Sequence, residues 1–244
     1  MNAKYADLIR KRFEIINDEY QRYSEGKVYA EPSKIRIEVP LVNGVGRYQF
    51  NIKKQDIANQ REVSLDRNDV FIPNFIGLFL AVQNNTKPSC EQLLAYPAIN
   101  DGVNPSVYGA GFTSGEVEAI YNGKLTWLID NGILLSSYPT ERFKHVPETQ
   151  GAFVLKSDDT DVNEGILPEW DILDSCDLLV PKITIAGTRD HNVSLNFDAS
   201  NLSFAVTAGH TPVLVFYLDG FLIKGGCEFF DANNPNAKAV GRWG

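Results

Sequence analysis

The stretch Val70-Phe71-Ile72-Pro73-Asn74-Phe75-Ile76-Gly77-Leu78-Phe79-Leu80-Ala81-Val82-Gln83 decides the fold. Its Phe, Ile, Leu and Val content suits a segment buried on both faces. Pro73, Asn74 and Gly77 interrupt it well short of the roughly 18 apolar residues that a membrane-spanning helix needs. It reads as strand inside a sheet, with Pro73 at a break or an edge, because proline cannot donate to a strand ladder.

Further strand patterns lie on both sides of it. Upstream, Ile35, Ile37 and Val39 alternate with Lys34, Arg36 and Glu38, the period of a strand with one buried face. Asn43-Gly44 is a turn signal, and Tyr48, Phe50 and Ile52 alternate again, so the two runs are expected to pair as a hairpin. Downstream, residues 124–129 and 133–138 flank Asp130-Asn131-Gly132, a second hairpin, and residues 213–218 and 221–224 flank Asp219-Gly220, a third. Residues 178–185, 192–197 and 202–207 alternate as strands. Between these runs, residues 87–111 (rich in Pro, Asn and Gly) and the acidic residues 157–164 read as loops.

Two helices interrupt this texture. Residues 3–25 carry Tyr5, Leu8, Ile9, Phe13, Ile16, Tyr20 and Tyr23 at three- and four-residue steps, which gathers them on one helix face. Asn2 is placed to cap that helix and Gly26 to stop it. A short helix is expected to follow Thr113, with Glu116 at the capping-box spacing. The sum is a mainly β chain, a β-sandwich or jelly roll behind an N-terminal amphipathic helix. A boundary near residues 164–175 would divide it into a helix (1–30), a first jelly-roll sandwich (31–168) and a second, smaller one (169–244).

The chain has 244 residues, 43% of them hydrophobic and 22% charged, enough for a substantial core. The formal net charge of −8 argues against broad electrostatic binding of nucleic acid. Cys90, Cys176 and Cys227 are odd in number and far apart, and form no CxxC pair, so reduced, partly buried thiols in a cytoplasmically made protein are expected. Residues 1–13 lack the apolar core of a signal peptide.

No catalytic constellation is recognisable. Gly109, Gly111 and Gly115 imitate a dinucleotide loop, but the third glycine is one residue late and no βαβ unit surrounds it. Asp159, Asp161 and Asn163 begin like a calcium loop, yet Glu164 and Trp170 stand where glycine and a bidentate glutamate are needed. A looser calcium site on Asp158, Asp159 and Asp161 stays open. His145, His191 and His210 share no ligand spacing, and there is no G-x-S-x-G elbow. Glu169 and Asp171 flank Trp170, the residue types of a sugar cleft, so a carbohydrate-binding module or glycosidase competes with a non-enzymatic role. On balance no catalytic, cofactor or metal residue is assigned, and no enzyme is expected.

Three segments carry a resemblance. They are Arg67-Asn68-Asp69-Val70-Phe71-Ile72-Pro73-Asn74 through Leu80, Tyr121-Asn122-Gly123-Lys124-Leu125-Thr126-Trp127 on to Tyr138-Pro139-Thr140, and residues 215–226. With the leading helix and the long loops, the chain resembles the double jelly-roll major capsid proteins of tailless, internal-membrane-containing icosahedral bacteriophages. That resemblance implies two tandem jelly rolls, a homotrimer of pseudo-sixfold outline and a capsid lattice shared with other virion proteins. It implies synthesis in the host cytoplasm and no specific nucleic acid. It also puts the helix at the membrane-facing base, with Tyr5, Leu8, Ile9, Arg12, Phe13, Ile16 and Tyr20 turned to a neighbour or to lipid. A capsid-decorating or tail protein is the nearest alternative. The bare residue pattern favours packing of the helix stripe on the chain's own sheet, the usual fate of such a face.

Overall fold

The computed structural model describes residues 3–23, 28–53, 62–86, 93–96, 114–130, 132–145, 172–180, 182–200, 202–204 and 209–229. Helix α1 (Ala3–Tyr23) precedes β1 (Ala30–Pro40), β2 (Arg47–Phe50), β3 (Val70–Asn84) and the short β4 (Leu93–Leu94). Helix α2 (Ser114–Tyr121) leads into β5 (Lys124–Ile129) and β6 (Gly132–Pro139). Then come β7 (Asp177–Leu178), β8 (Ile185–Ala186), β9 (His191–Asn196) and β10 (His210–Ile223).

These strands make two antiparallel sheets. The first has the order β1-β10-β3-β4, with β7 and β8 also paired to β3; the second has the order β2-β9-β5-β6. One core fills the space between them. Ile37, Leu78 and Phe216 from the first sheet share it with Phe50, Trp127 and Leu195 from the second. Phe216 stacks on Phe50 at 5.3 Å and meets Trp127 edge-on at 5.9 Å. Helix α1 covers the outer face of the first sheet, where Ile16 and Tyr20 are buried with Val70, Ile72 and Phe221. The layers are thus sheet, sheet, helix.

The deciding stretch is a single strand of 15 residues, paired along its length with β10. Its alternation serves two cores: Leu78 and Leu80 face the second sheet, while Phe75 and Phe79 face away from it. The register shifts where Asp219 faces Phe75 and Gly220 faces Pro73, which leaves Asn74 as the extra residue of a β-bulge. A bulge lets proline sit inside a central strand, since the ladder is already interrupted there.

That bulge corrects one expectation. Asp219-Gly220 is not a hairpin turn; β10 runs straight through it for 14 residues. The glycine is needed for proximity, because a Cβ on Gly220 would lie 2.1 Å from the Ile72 carbonyl oxygen. The hairpin expected over residues 35–52 does not form either. β1 pairs with β10 in one sheet and β2 with β9 in the other, so the turn at Asn43-Gly44 carries the chain between layers. Nor are Arg36 and Glu38 on a solvent face. Both are buried, and Arg36 Nε donates to Glu38 at 2.7 Å. Residues 62–65 close over the β1 edge through a bridge between Arg36 and Val63. Residues 178–185 hold only the ends of β7 and β8, and residues 202–204 are not strand.

The hairpin at 124–139, the strand at 191–196 and both helices stand where the sequence puts them. The boundary expected at 168/169 does not separate two sheet systems among the described residues. β10 lies between β1 and β3, and β9 between β2 and β5, so both sheets interleave strands from either side of it. Asn2, Gly26, Cys90, Thr113, the acidic loop and Trp170 with its flanking carboxylates lie outside the described residues.

Candidate functional site

Helix α1 carries the residues expected to face a neighbour or lipid, and its geometry divides them. Tyr5 meets Phe75 edge-on at 5.7 Å, and Phe13 meets Phe221 at 5.2 Å. Ile9 packs into both clusters on the outer face of the first sheet. Ile16 and Tyr20 are 0% and 1% exposed. The apolar stripe therefore lies on the chain's own sheet. β3 and β10 present a second apolar face there, on which these five residues lie and which Leu93, Ala95, Ile172 and Leu173 also help to cover.

Leu8 and Arg12 differ. Leu8 is exposed, and so is Ile15, one heptad on. Arg12 lies between them on the same helix flank. Its guanidinium donates to the Asn74 side-chain oxygen at 3.3 Å and to the Leu179 carbonyl at 3.1 Å. The β3 bulge thus has a use: it turns buried Asn74 toward the helix, and the Asn74 carbonyl accepts the Leu179 N–H at 2.8 Å. This anchors the segment around Val180, itself 71% exposed, beside the flank of α1. Further along, Lys182 reaches Glu19 at 3.8 Å. Burial lowers the pKa of both Arg12 and Lys182, and Arg12 adds to the effect on Lys182. The site is an exposed apolar trio, Leu8, Ile15 and Val180, around two partly desolvated cations.

Helical spacing singled out Leu8, and Arg12 was named only with the membrane-facing helix that the resemblance implies. Sequence reasoning missed Ile15, which falls off the main stripe. It also missed Asn74 and Val180, which only tertiary pairing brings to the helix.

At the other side of the sandwich, β6 forms the edge of the second sheet. None of its eight residues is buried, none is charged, and Ile133 is 67% exposed. Register shifts against β5 and a positive φ of 53° at Ser137 bend its far half. There Tyr138 donates its hydroxyl to Asp177, and Arg142 forms an ion pair with the same carboxylate and stands over the Tyr138 ring. Burial, then the Asp177 bond, raises the Tyr138 pKa. This clamp ties the second sheet to β7 of the first.

A polar cleft of about 770 Å3 opens beside the Lys53–Asp190 ion pair, with Glu62, Arg67 and Thr188 on its walls. Of the residues weighed for chemistry, Trp127 is fully buried in the core and cannot stack on a sugar. His191 bonds the Ala186 carbonyl at 2.8 Å, so its Nε2 carries a proton; its buried Nδ1 finds no hydrogen-bond partner among the described residues. Cys176 and Cys227 are buried, and among the described residues neither is in a disulfide. Among the described residues no group of three or more His, Cys, Asp or Glu side chains is gathered as metal ligands, and no helix is long and apolar enough to cross a membrane. No protein-family model matches the chain, and no curated protein does either.

Proposed function

We propose that this chain is a structural virion protein, a capsid subunit that assembles with copies of itself, as a trimer, into an icosahedral shell. The observation that carries the reading is β6: an uncharged, eight-residue edge strand with no buried residue. Sheet edges and exposed apolar residues of this kind are covered by neighbours in stable assemblies. The bulged half of β6 limits open-ended strand addition, which suits a closed shell better than a fibre. The sandwich interior, filled by Trp127, Phe50 and Phe216, supports a rigid body that works through its outside. Two jelly rolls in tandem remain the form that the resemblance implies for such a subunit.

A second reading has one observation in its favour. The described strands enclose a single interlayer core, and one sandwich is what a capsid-decorating or tail protein needs. Light scattering and negative-stain microscopy of the purified chain separate these readings. A trimer that forms sheets or shells supports the capsid subunit. A trimer or dimer that never forms a lattice supports the decorating protein. A monomer at millimolar concentration rejects both.

A further inference from the structure

We propose that the sandwich holds a binding site for one internal water molecule, between the indole N–H of Trp127 and the Nδ1 of His191. Across the β5–β9 pairing Trp127 faces Val193 and His191 faces Ile129. The two side chains are therefore diagonal neighbours on one face of the second sheet, the face that Val193 and Leu195 turn into the interlayer core. Their rings are 6.4 Å apart at an interplanar angle of 67°. Trp127 is 0% exposed. Its Nε1 and the Nδ1 of His191 are both buried, and neither finds a hydrogen-bond partner among the described residues. Buried polar atoms are paired in folded proteins, so two orphans on neighbouring rings require one explanation.

The orphans are opposite in kind. An indole nitrogen only donates. The Nε2 proton of His191 goes to the Ala186 carbonyl at 2.8 Å, and burial favours the neutral ring, so Nδ1 is left as an acceptor. A ligand that serves both must accept from one and donate to the other. A cation would face the indole N–H and an anion the imidazole lone pair, so neither fits. Water is the smallest neutral molecule with both functions, and two polar partners suffice to hold it. Immobilising one water costs less than leaving a buried donor and a buried acceptor unmade. The bridge would also fix the tautomer of His191, because a proton on Nδ1 would turn the acceptor into a second donor.

The test is nuclear magnetic resonance of the full chain labelled with nitrogen-15, the Trp127 indole signal being assigned with Trp127→Phe. Water-selective NOE and ROE spectra should give this indole proton a cross-peak at the water frequency. Its sign should differ between the two spectra, as for dipolar contact with a bound water; equal signs would mean proton exchange and overturn the proposal. His191→Phe keeps a ring in place and removes the acceptor, so the cross-peak should disappear. A long-range nitrogen–proton spectrum of wild type should show His191 protonated at Nε2, with Nδ1 shifted as a hydrogen-bonded acceptor. A folded wild type with no water cross-peak overturns the site, as does a cross-peak that persists in folded His191→Phe. An indole proton that contacts only the Phe216 ring, or a proton on Nδ1, overturns it as well. Should His191→Phe not fold, the two wild-type measurements decide.

Discussion

His191 joins the layers through one hydrogen bond, from Nε2 to the Ala186 carbonyl of β8, with its ring 6.4 Å from Trp127. Burial holds its pKa below the usual value of 6.5, and Lys53 pushes in the same direction while the Ala186 hydrogen bond, Asp130 and Asp190 oppose it. The folded state therefore prefers neutral His191. Its contribution is complete above the unfolded pKa and is lost as pH falls through the lower folded value. Urea midpoints measured between pH 7.5 and 5 should fall for wild type and fall less for His191→Gln; equal slopes would contradict this. Gly220 is constrained differently, since a Cβ there would meet the Ile72 carbonyl oxygen at 2.1 Å and Pro73 Cα at 2.7 Å. Both are backbone atoms of the neighbouring strand and cannot rotate away. Gly220→Ala should cost about 3 kcal/mol, the upper end for overpacking, in equilibrium denaturation.

Among the elements, α1 lies on the outer face of the first sheet. Its stripe covers Val70, Ile72, Phe221 and Ile223 there. In proteins most helical stability comes from packing of the amphipathic face rather than from propensity, so the 21 residues of α1 depend on this joint. Ile16→Ala removes a fully buried side chain from this joint. It should lower stability by about 2–5 kcal/mol and increase binding of a hydrophobic dye before global unfolding. Unchanged dye binding would mean that the helix and the sheets separate only together. The β5–β6 hairpin has the opposite character. It is well formed and locally specified, yet no residue of its outer strand is buried.

For the whole molecule, the interleaved topology predicts cooperative folding. β10 makes the middle of the first sheet only when β1 and β3 are present, and β9 does the same between β2 and β5. A fragment of residues 31–168 or of residues 169–244 should therefore show no sharp thermal transition, while the full chain shows one. An independently folding fragment would restore the two-sandwich division.

What the sequence determined by itself is local. The α1 stripe, the turn at Asp130–Gly132 and the alternation of 191–196 are stated by neighbours a few residues apart, and each element formed where its period places it. The burial of residues 70–81 was also legible, because a run apolar at odd and even positions alike must be covered on both sides. Only the tertiary structure decided what does the covering. An Asp-Gly pair serves a turn or a bulge equally well, and the tight approach of Ile72 and Pro73, some 150 residues away in the chain, made it a bulge. Arg36 and Glu38 look solvent-facing until residues 62–65 close over them. The helix stripe announced that it would be buried, but not against which surface. That choice depended on β3 and β10 offering an apolar outer face, and it left Leu8, Ile15 and Val180 exposed.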